Sequence, residues 1–216
     1  MSHQMSIASV PLVKVTLGAL LLAGLLDLPS VFAVQAASTE HDHHAHHHHE
    51  VPAGVRRSEA SYAIPDVTLV SQEGQRVAVR DLLSTDKPVL ANFIFTTCTA
   101  ICPAMSATFT QVQQGLADDT AKVLMVSISI DPEQDTPAAL AAYAKRFGAG
   151  PQWLFLTGSL DDSIAVQKAF DAYRGDKMNH APLTLLRAAP DAPWVRYDGF
   201  ASAADLVQDI RGMIQH

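Results

Sequence analysis

The chain has 216 residues, 22 of them acidic and 15 basic, for a formal charge of -7 with histidines neutral. That balance, with no Lys/Arg cluster and no aromatic-basic stripe, excludes nucleic acid as the partner. The first 60 or so residues do not pattern as a folded core, and the remaining stretch of about 155 suffices for one domain with a sizeable apolar interior but not for two.

Residues 1–37 read as export machinery. Lys14 precedes the apolar run 15–26, Asp27 interrupts it, and the small residues around Val34-Gln35-Ala36-Ala37 suit a signal-peptidase cut. The run is short against the ~20 apolar residues of a spanning helix. Cleaved export is the first expectation, and an uncleaved membrane anchor over 15–37 that tolerates Asp27 is the second. Either places the folded part in an oxidising compartment, a bacterial periplasm.

The stretch Glu40 to Glu50 carries His41, His43, His44, His46, His47, His48 and His49. It follows an export signal and is broken by Asp42 and Ala45, unlike an expression tag, so it reads as a native, disordered, metal-collecting tract. Imidazoles bind Zn, Cu and Ni with little discrimination, so the tract does not specify a metal. Pro52-Ala53-Gly54 then serves as linker, giving a tract-and-linker segment over 38–60 and a folded domain over 61–216.

Within the domain, residues 67–70 and 76–79 flank Glu73-Gly74-Gln75 as a hairpin. A buried strand follows at 88–95, and Pro103 starts a helix running to about Leu116, which puts Cys102 at or beside the N-cap. A second buried strand, 122–130, ends at Asp131-Pro132, and Asp135 caps a helix reaching Phe147-Gly148. Residues 153–157 form a short strand, 160–173 a helix, 182–186 and 194–197 two strands, and 203–214 a closing helix. Strands alternating with helices imply a largely parallel central sheet covered on both faces. Trp153 and Trp194 are assigned to the core; Met105 and Met178 are soft enough to touch Cu(I), but methionine at such positions more often packs, and packing is their first assignment.

Cys98 and Cys102 are the only cysteines. A spacing of four puts both sulfurs on one side of a helical turn, with Cα atoms roughly 6 Å apart. The pair can therefore close a disulfide or clasp one metal ion. Ligands of open α/β sheets sit at the carboxyl ends of strands, and Cys98 and Asp131 both follow the ends of neighbouring strands. The helix N-terminus beyond the cysteines favours thiolate over thiol. A purely structural bridge is disfavoured, because so short a loop constrains the unfolded chain weakly. His180 is the one domain histidine apart from the terminal His216, and it lies in a loop entering a strand. Two soft sulfurs with one imidazole suit Cu(I), tolerate Cu(II), and leave zinc with an open fourth position as the competing metal.

Three segments together resemble the Sco/SenC family of copper-binding, thioredoxin-fold proteins: Phe93-Ile94-Phe95-Thr96-Thr97-Cys98-Thr99-Ala100-Ile101-Cys102-Pro103, Ser129-Ile130-Asp131-Pro132-Glu133-Gln134-Asp135-Thr136-Pro137, and Asn179-His180. The resemblance implies a thioredoxin-like α/β fold with a central mixed sheet, helices on both faces and an N-terminal β-hairpin. It implies that Cys98, Cys102 and His180 ligate one copper ion per domain, with Asp131 close by, and that the Ala181–Pro182 bond could be cis. It also implies a role in maturing the copper A site of cytochrome c oxidase subunit II, by passing on metal or by reducing that site's cysteines. Other periplasmic copper chaperones or thiol reductants would be further partners of a monomer, soluble or tethered to the inner membrane. Thr99 stands where many members have proline, and Asn179 where an aspartate commonly precedes the histidine. Both changes bear on copper affinity or redox poise.

Three functions follow from these features. A copper chaperone uses Cys98, Cys102 and His180. A thiol-disulfide oxidoreductase uses the cysteines alone, one attacking a partner disulfide and the other resolving the adduct. A metal buffer works through the histidine tract. The Cys-x3-Cys spacing and the histidine loop favour the first, since dedicated exchange enzymes generally use Cys-x2-Cys.

Overall fold

The computed structural model describes residues 54–215. The leader and the histidine tract with its seven candidate ligands lie outside the described residues. Among those described, no helix is long and apolar enough to cross a membrane.

An eight-stranded sheet carries the fold in the order β1-β8-β7-β4-β5-β6-β2-β3. Its strands are β1 (Arg56–Ala60), β2 (Thr68–Ser71), β3 (Arg76–Ala78), β4 (Val89–Ile94), β5 (Leu124–Ser129), β6 (Trp153–Thr157), β7 (Leu183–Arg187) and β8 (Trp194–Asp198). The helices are α1 (Val79–Leu83), α2 (Ile101–Leu116), α3 (Pro137–Arg146), α4 (Leu160–Ala169) and α5 (Ala203–Ile214).

The sheet is mixed, as the family resemblance implies, and not largely parallel. Only β4–β5 and β5–β6 run parallel, and every other pairing among the described strands is antiparallel. The helical crossovers α2 and α3 return the chain in the same direction, as parallel neighbours require. β7 and β8 instead form an antiparallel ribbon that β1 extends. β1 occupies residues expected to be linker, so the sheet begins upstream of residue 61. Its sequence, Arg-Arg-Ser-Glu-Ala, is edge-strand chemistry: charged side chains blunt the free edge, and backbone pairing to β8 does the rest.

The period-2 alternation of β4 divides the core. Leu90 and Ile94 face Phe109, Val112 and Leu116 of α2, Leu140 of α3 and Ile210 of α5. Val89, Ala91 and Phe93 face Leu83 of α1 and Val166 of α4. Each fully buried Leu, Val or Phe contributes about 1.5–3 kcal/mol relative to exposure. Trp153 and Trp194 are core residues, with 1% and 2% exposure. Trp153 Nε1 donates to Ser127 Oγ at 3.0 Å, and Ser127 Oγ donates to Asn92 Oδ1 at 2.7 Å, which leaves Asn92 Nδ2 as the buried polar atom of this group without a partner among the described residues.

Antiparallel pairing of β4 with β7, Asn92 opposite Thr184, sets the end of β4 beside the start of β7. The parallel pair β4–β5 ends at the same rim, Ile94 opposite Ser129. The residues following β4, those following β5 and those preceding β7 therefore converge.

Candidate metal centre

The loop from β4 to α2 carries the cysteines. Cys98 N–H donates to the Phe95 carbonyl at 3.1 Å, a tight turn that brings Cys98 to the mouth of α2. The helix begins at Ile101, so Cys102 lies within its first turn and Pro103 is its third residue rather than its first. First-turn N–H groups have no intrahelical acceptor, so proline is tolerated there without loss. Ala100 at the N-cap offers no side-chain acceptor. The Cys98 sulfur takes that role, accepting from Cys102 N–H at 3.3 Å.

The two thiols, both free, occupy different environments. Burial pushes the half-buried Cys98 upward, but the backbone N–H groups of Cys102, Ala100 and Ile101 outweigh it and hold the thiol below its ordinary value of 9.0. Cys102 is fully buried, and burial drives its thiol far above the ordinary range, with the Phe95 backbone opposing and the neighbouring Cys98 and Asp135 adding to the rise.

His180 follows a 3-10 turn over Lys177–Asn179. Asp176 caps the turn, its Oδ1 accepting from Met178 N–H at 2.8 Å, and His180 N–H donates to the Lys177 carbonyl at 3.1 Å. The ring is buried, with its centroid 6.4 Å from that of Phe95 in an edge-on arrangement. Its Nε2 is buried without a hydrogen-bonding partner among the described residues. Burial lowers the imidazole below 6.5, with the Phe93 backbone opposing. The neutral ring is therefore favoured, which is the form that donates a lone pair to metal. The Ala181–Pro182 bond is trans.

Asp131 lies at this rim, buried, and its partner is Lys177 at 2.5 Å. Lys177 Nζ also sits 5.7 Å from the Phe95 ring centroid. Asp131 thus reaches the histidine loop through Lys177, tying the end of β5 to the turn that carries His180.

Asp135 was expected to cap α3, but the cap is Thr136, whose hydroxyl accepts from Ala139 N–H at 3.2 Å. Asp135 is fully buried. It accepts from Thr96 N–H at 3.0 Å, Thr96 Oγ1 at 2.6 Å and Ser129 Oγ at 2.6 Å. The cysteine loop is thereby fastened to the end of β5, a role invisible in sequence because Thr96 is 39 positions away. Met178 also departs from expectation: it is 74% exposed, whereas Met105 packs in the core.

Cys98, His180, Met178, Lys177 and Phe95 line one cavity of about 230 Å³. Among the described residues, no group of three His, Cys, Asp or Glu side chains stands close enough to hold a metal ion as the chain is arranged here. The cavity brings a Cys98 thiol held below its ordinary value and an unpartnered imidazole to one opening, while Cys102 stays fully buried outside its lining.

The family model described as SCO1/SenC matches residues 55–215. The chain belongs to the SCO1/SenC family. Among relatives, this SCO1/SenC chain is similar to the SCO1 protein homolog of Bacillus subtilis, 36% identical over 105 residues, or 48% of this chain and 53% of that one. The matched region thus spans about half the length of that relative. Among solved structures, it is similar to BsSco, described as a member of the Sco family of cytochrome c oxidase assembly proteins that has a disulfide switch. The identity is 29% and the TM-score 0.61, covering 72% of this chain and 95% of that one. It is also similar to Bradyrhizobium japonicum ScoI, solved with copper bound, at 26% identity and TM-score 0.59, covering 70% and 99% respectively.

Proposed function

We propose that this SCO1/SenC chain is a periplasmic copper chaperone that binds one copper ion through Cys98, Cys102 and His180 and assists assembly of the copper A site of cytochrome c oxidase subunit II. The observation that carries this reading is the buried, unpartnered Nε2 of His180 in the chain whose Cys98 lines the same cavity. An orphaned buried nitrogen costs stability unless something occupies it, and a thiophilic metal arriving at Cys98 supplies that partner. Because the three donors do not stand together as one cluster, metal capture draws the 177–180 turn towards the sulfurs. Copper bound in Bradyrhizobium japonicum ScoI and the membership of BsSco in a family of cytochrome c oxidase assembly proteins support the choice of metal and process. The export-like leader supports the periplasm, with cleaved and tethered forms both consistent with it.

A test is copper titration of the reduced protein and of His180→Ala. The substitution weakens Cu(II) binding severely while sparing thiol exchange. Full copper affinity in that variant would remove His180 from the ligand set.

The asymmetry of the thiols favours a second activity at the same residues. A Cys98 thiolate attacks a partner disulfide, releasing one partner thiolate and forming a mixed disulfide. Cys102, after giving its proton to solvent, then displaces the second partner sulfur and closes the Cys98–Cys102 bond, so two electrons pass to the partner. The raised Cys102 thiol slows that second step.

A further inference from the structure

We propose that Met178 is a third sulfur donor, forming with Cys98 an outer subsite through which Cu(I) enters and leaves the inner Cys98/Cys102/His180 site. This rests on the copper reading above and deepens it.

Met178 is more exposed than the other large apolar residues facing solvent among those described: 74%, against 50% for Phe200 and 47% for Leu160. Burial therefore gives no reason for methionine at this position. Nor does it hang from a mobile tail. Its N–H is held by Asp176 at 2.8 Å, and the preceding residue is tied to the end of β5 by the Lys177–Asp131 pair at 2.5 Å. The turn thus holds a thioether on the wall of the cavity that Cys98 and His180 also line.

Access orders the donors. Cys102 has no exposed surface, whereas Cys98 is half-buried and Met178 stands open to solvent. A metal arriving from outside meets Met178 and Cys98 before it can reach Cys102.

The chemistry of the thioether fits that position. It is soft, so it selects Cu(I) over Zn(II) and Cu(II), and it lends a lone pair without losing a proton. Copper stays Cu(I) throughout: as its bond to the Met178 sulfur forms, its bond to a ligand of the delivering molecule breaks, and any proton on Cys98 passes to solvent. Moving inward then exchanges the Met178 sulfur for that of Cys102, and delivery runs the same exchanges backwards. A neutral, exposed donor is the one most easily surrendered to an acceptor.

X-ray absorption at the copper edge tests this by counting sulfur neighbours on full-length protein given less than one equivalent of Cu(I) without oxygen. Cys102→Ser abolishes the inner sulfur pair, yet it should retain two sulfur neighbours, from Cys98 and Met178. Cys102→Ser/Met178→Leu should fall to one, and Cys98→Ser/Cys102→Ser should lose the thiolate signature. One sulfur in both Cys102→Ser and its Met178→Leu derivative would overturn the outer subsite, while two in the wild type would leave the copper reading standing. No sulfur-bound copper in the wild type would overturn both.

Discussion

Replacing Asp135 with alanine removes the carboxylate that binds the cysteine loop to β5. It accepts three hydrogen bonds, at 3.0 and 2.6 Å from Thr96 and 2.6 Å from Ser129, from a fully buried position. An unsatisfied buried donor costs about 1–3 kcal/mol, and hydrogen bonds to a charged acceptor lie at the upper end of the range. The two hydroxyls can rotate to other acceptors and Thr96 is only part-buried, so the sum is discounted to about 3 kcal/mol. For a domain of this size that corresponds to a fall of about 6–12 °C in Tm. Asparagine should recover roughly half: its carbonyl accepts both Thr96 bonds, but its NH2 cannot accept, so the Ser129 O–H loses its acceptor. Urea denaturation of the reduced apoprotein measures the change, with the midpoint falling and the slope m unchanged. An Asp135→Ala variant within about 0.5 kcal/mol of wild type, the scatter of ordinary surface substitutions, would refute the network as the fastening of this loop.

Three further outcomes are expected. Iodoacetamide should alkylate Cys98 with a pH midpoint below 9.0 and leave Cys102 unmodified while the protein is folded, and preferential labelling of Cys102 would contradict the two environments. Burial holds His180 below 6.5, so below that pH the unfolded chain takes up a proton that the folded one resists. The contribution of His180 is present above 6.5 and lost as pH falls, so apoprotein stability should drop less between about pH 7 and 5 in His180→Gln than in wild type. Equal pH slopes in urea midpoints would remove that assignment. Lys177→Gln and Asp131→Asn should both speed amide hydrogen exchange across 177–180 with little change in global stability, whereas unchanged exchange would show that the pair does not hold the turn.

Much of the architecture was legible because it rests on local pattern. The apolar run before Cys98 gives β4, the buried stretch read over 122–130 gives β5, and Trp153 and Trp194 fall in the core as bulky apolar residues within strands. β1 was not legible: Arg56, Arg57, Ser58 and Glu59 carry no hydrophobic period, and their strand exists only through pairing with β8, about 140 positions away. The strand directions failed for a related reason. Alternation of helix and strand describes β4, β5 and β6, but β7 and β8 follow one another without a helix, the signal of an antiparallel ribbon. At the site, chemistry picked out Cys98, Cys102 and His180 by residue type and spacing, and the fold brings Cys98 and His180 to one cavity. Asp135 was misread because Asp-Thr-Pro offers two cap candidates, and only the Thr96 contact decides between them. For Met178 packing was set ahead of contact with Cu(I) because a methionine is ordinarily buried, and sequence does not reveal that its turn faces outward.

The most direct test of the copper reading is a copper titration of the reduced protein lacking residues 41–49, with thiol reduction of a disulfide substrate followed in parallel. One copper per chain should bind as tightly as in the intact protein, and the site should disappear in Cys98→Ser. Loss of high-affinity copper with the tract, Cys98 and Cys102 being intact and reduced, would contradict it and make the protein a histidine-based metal buffer.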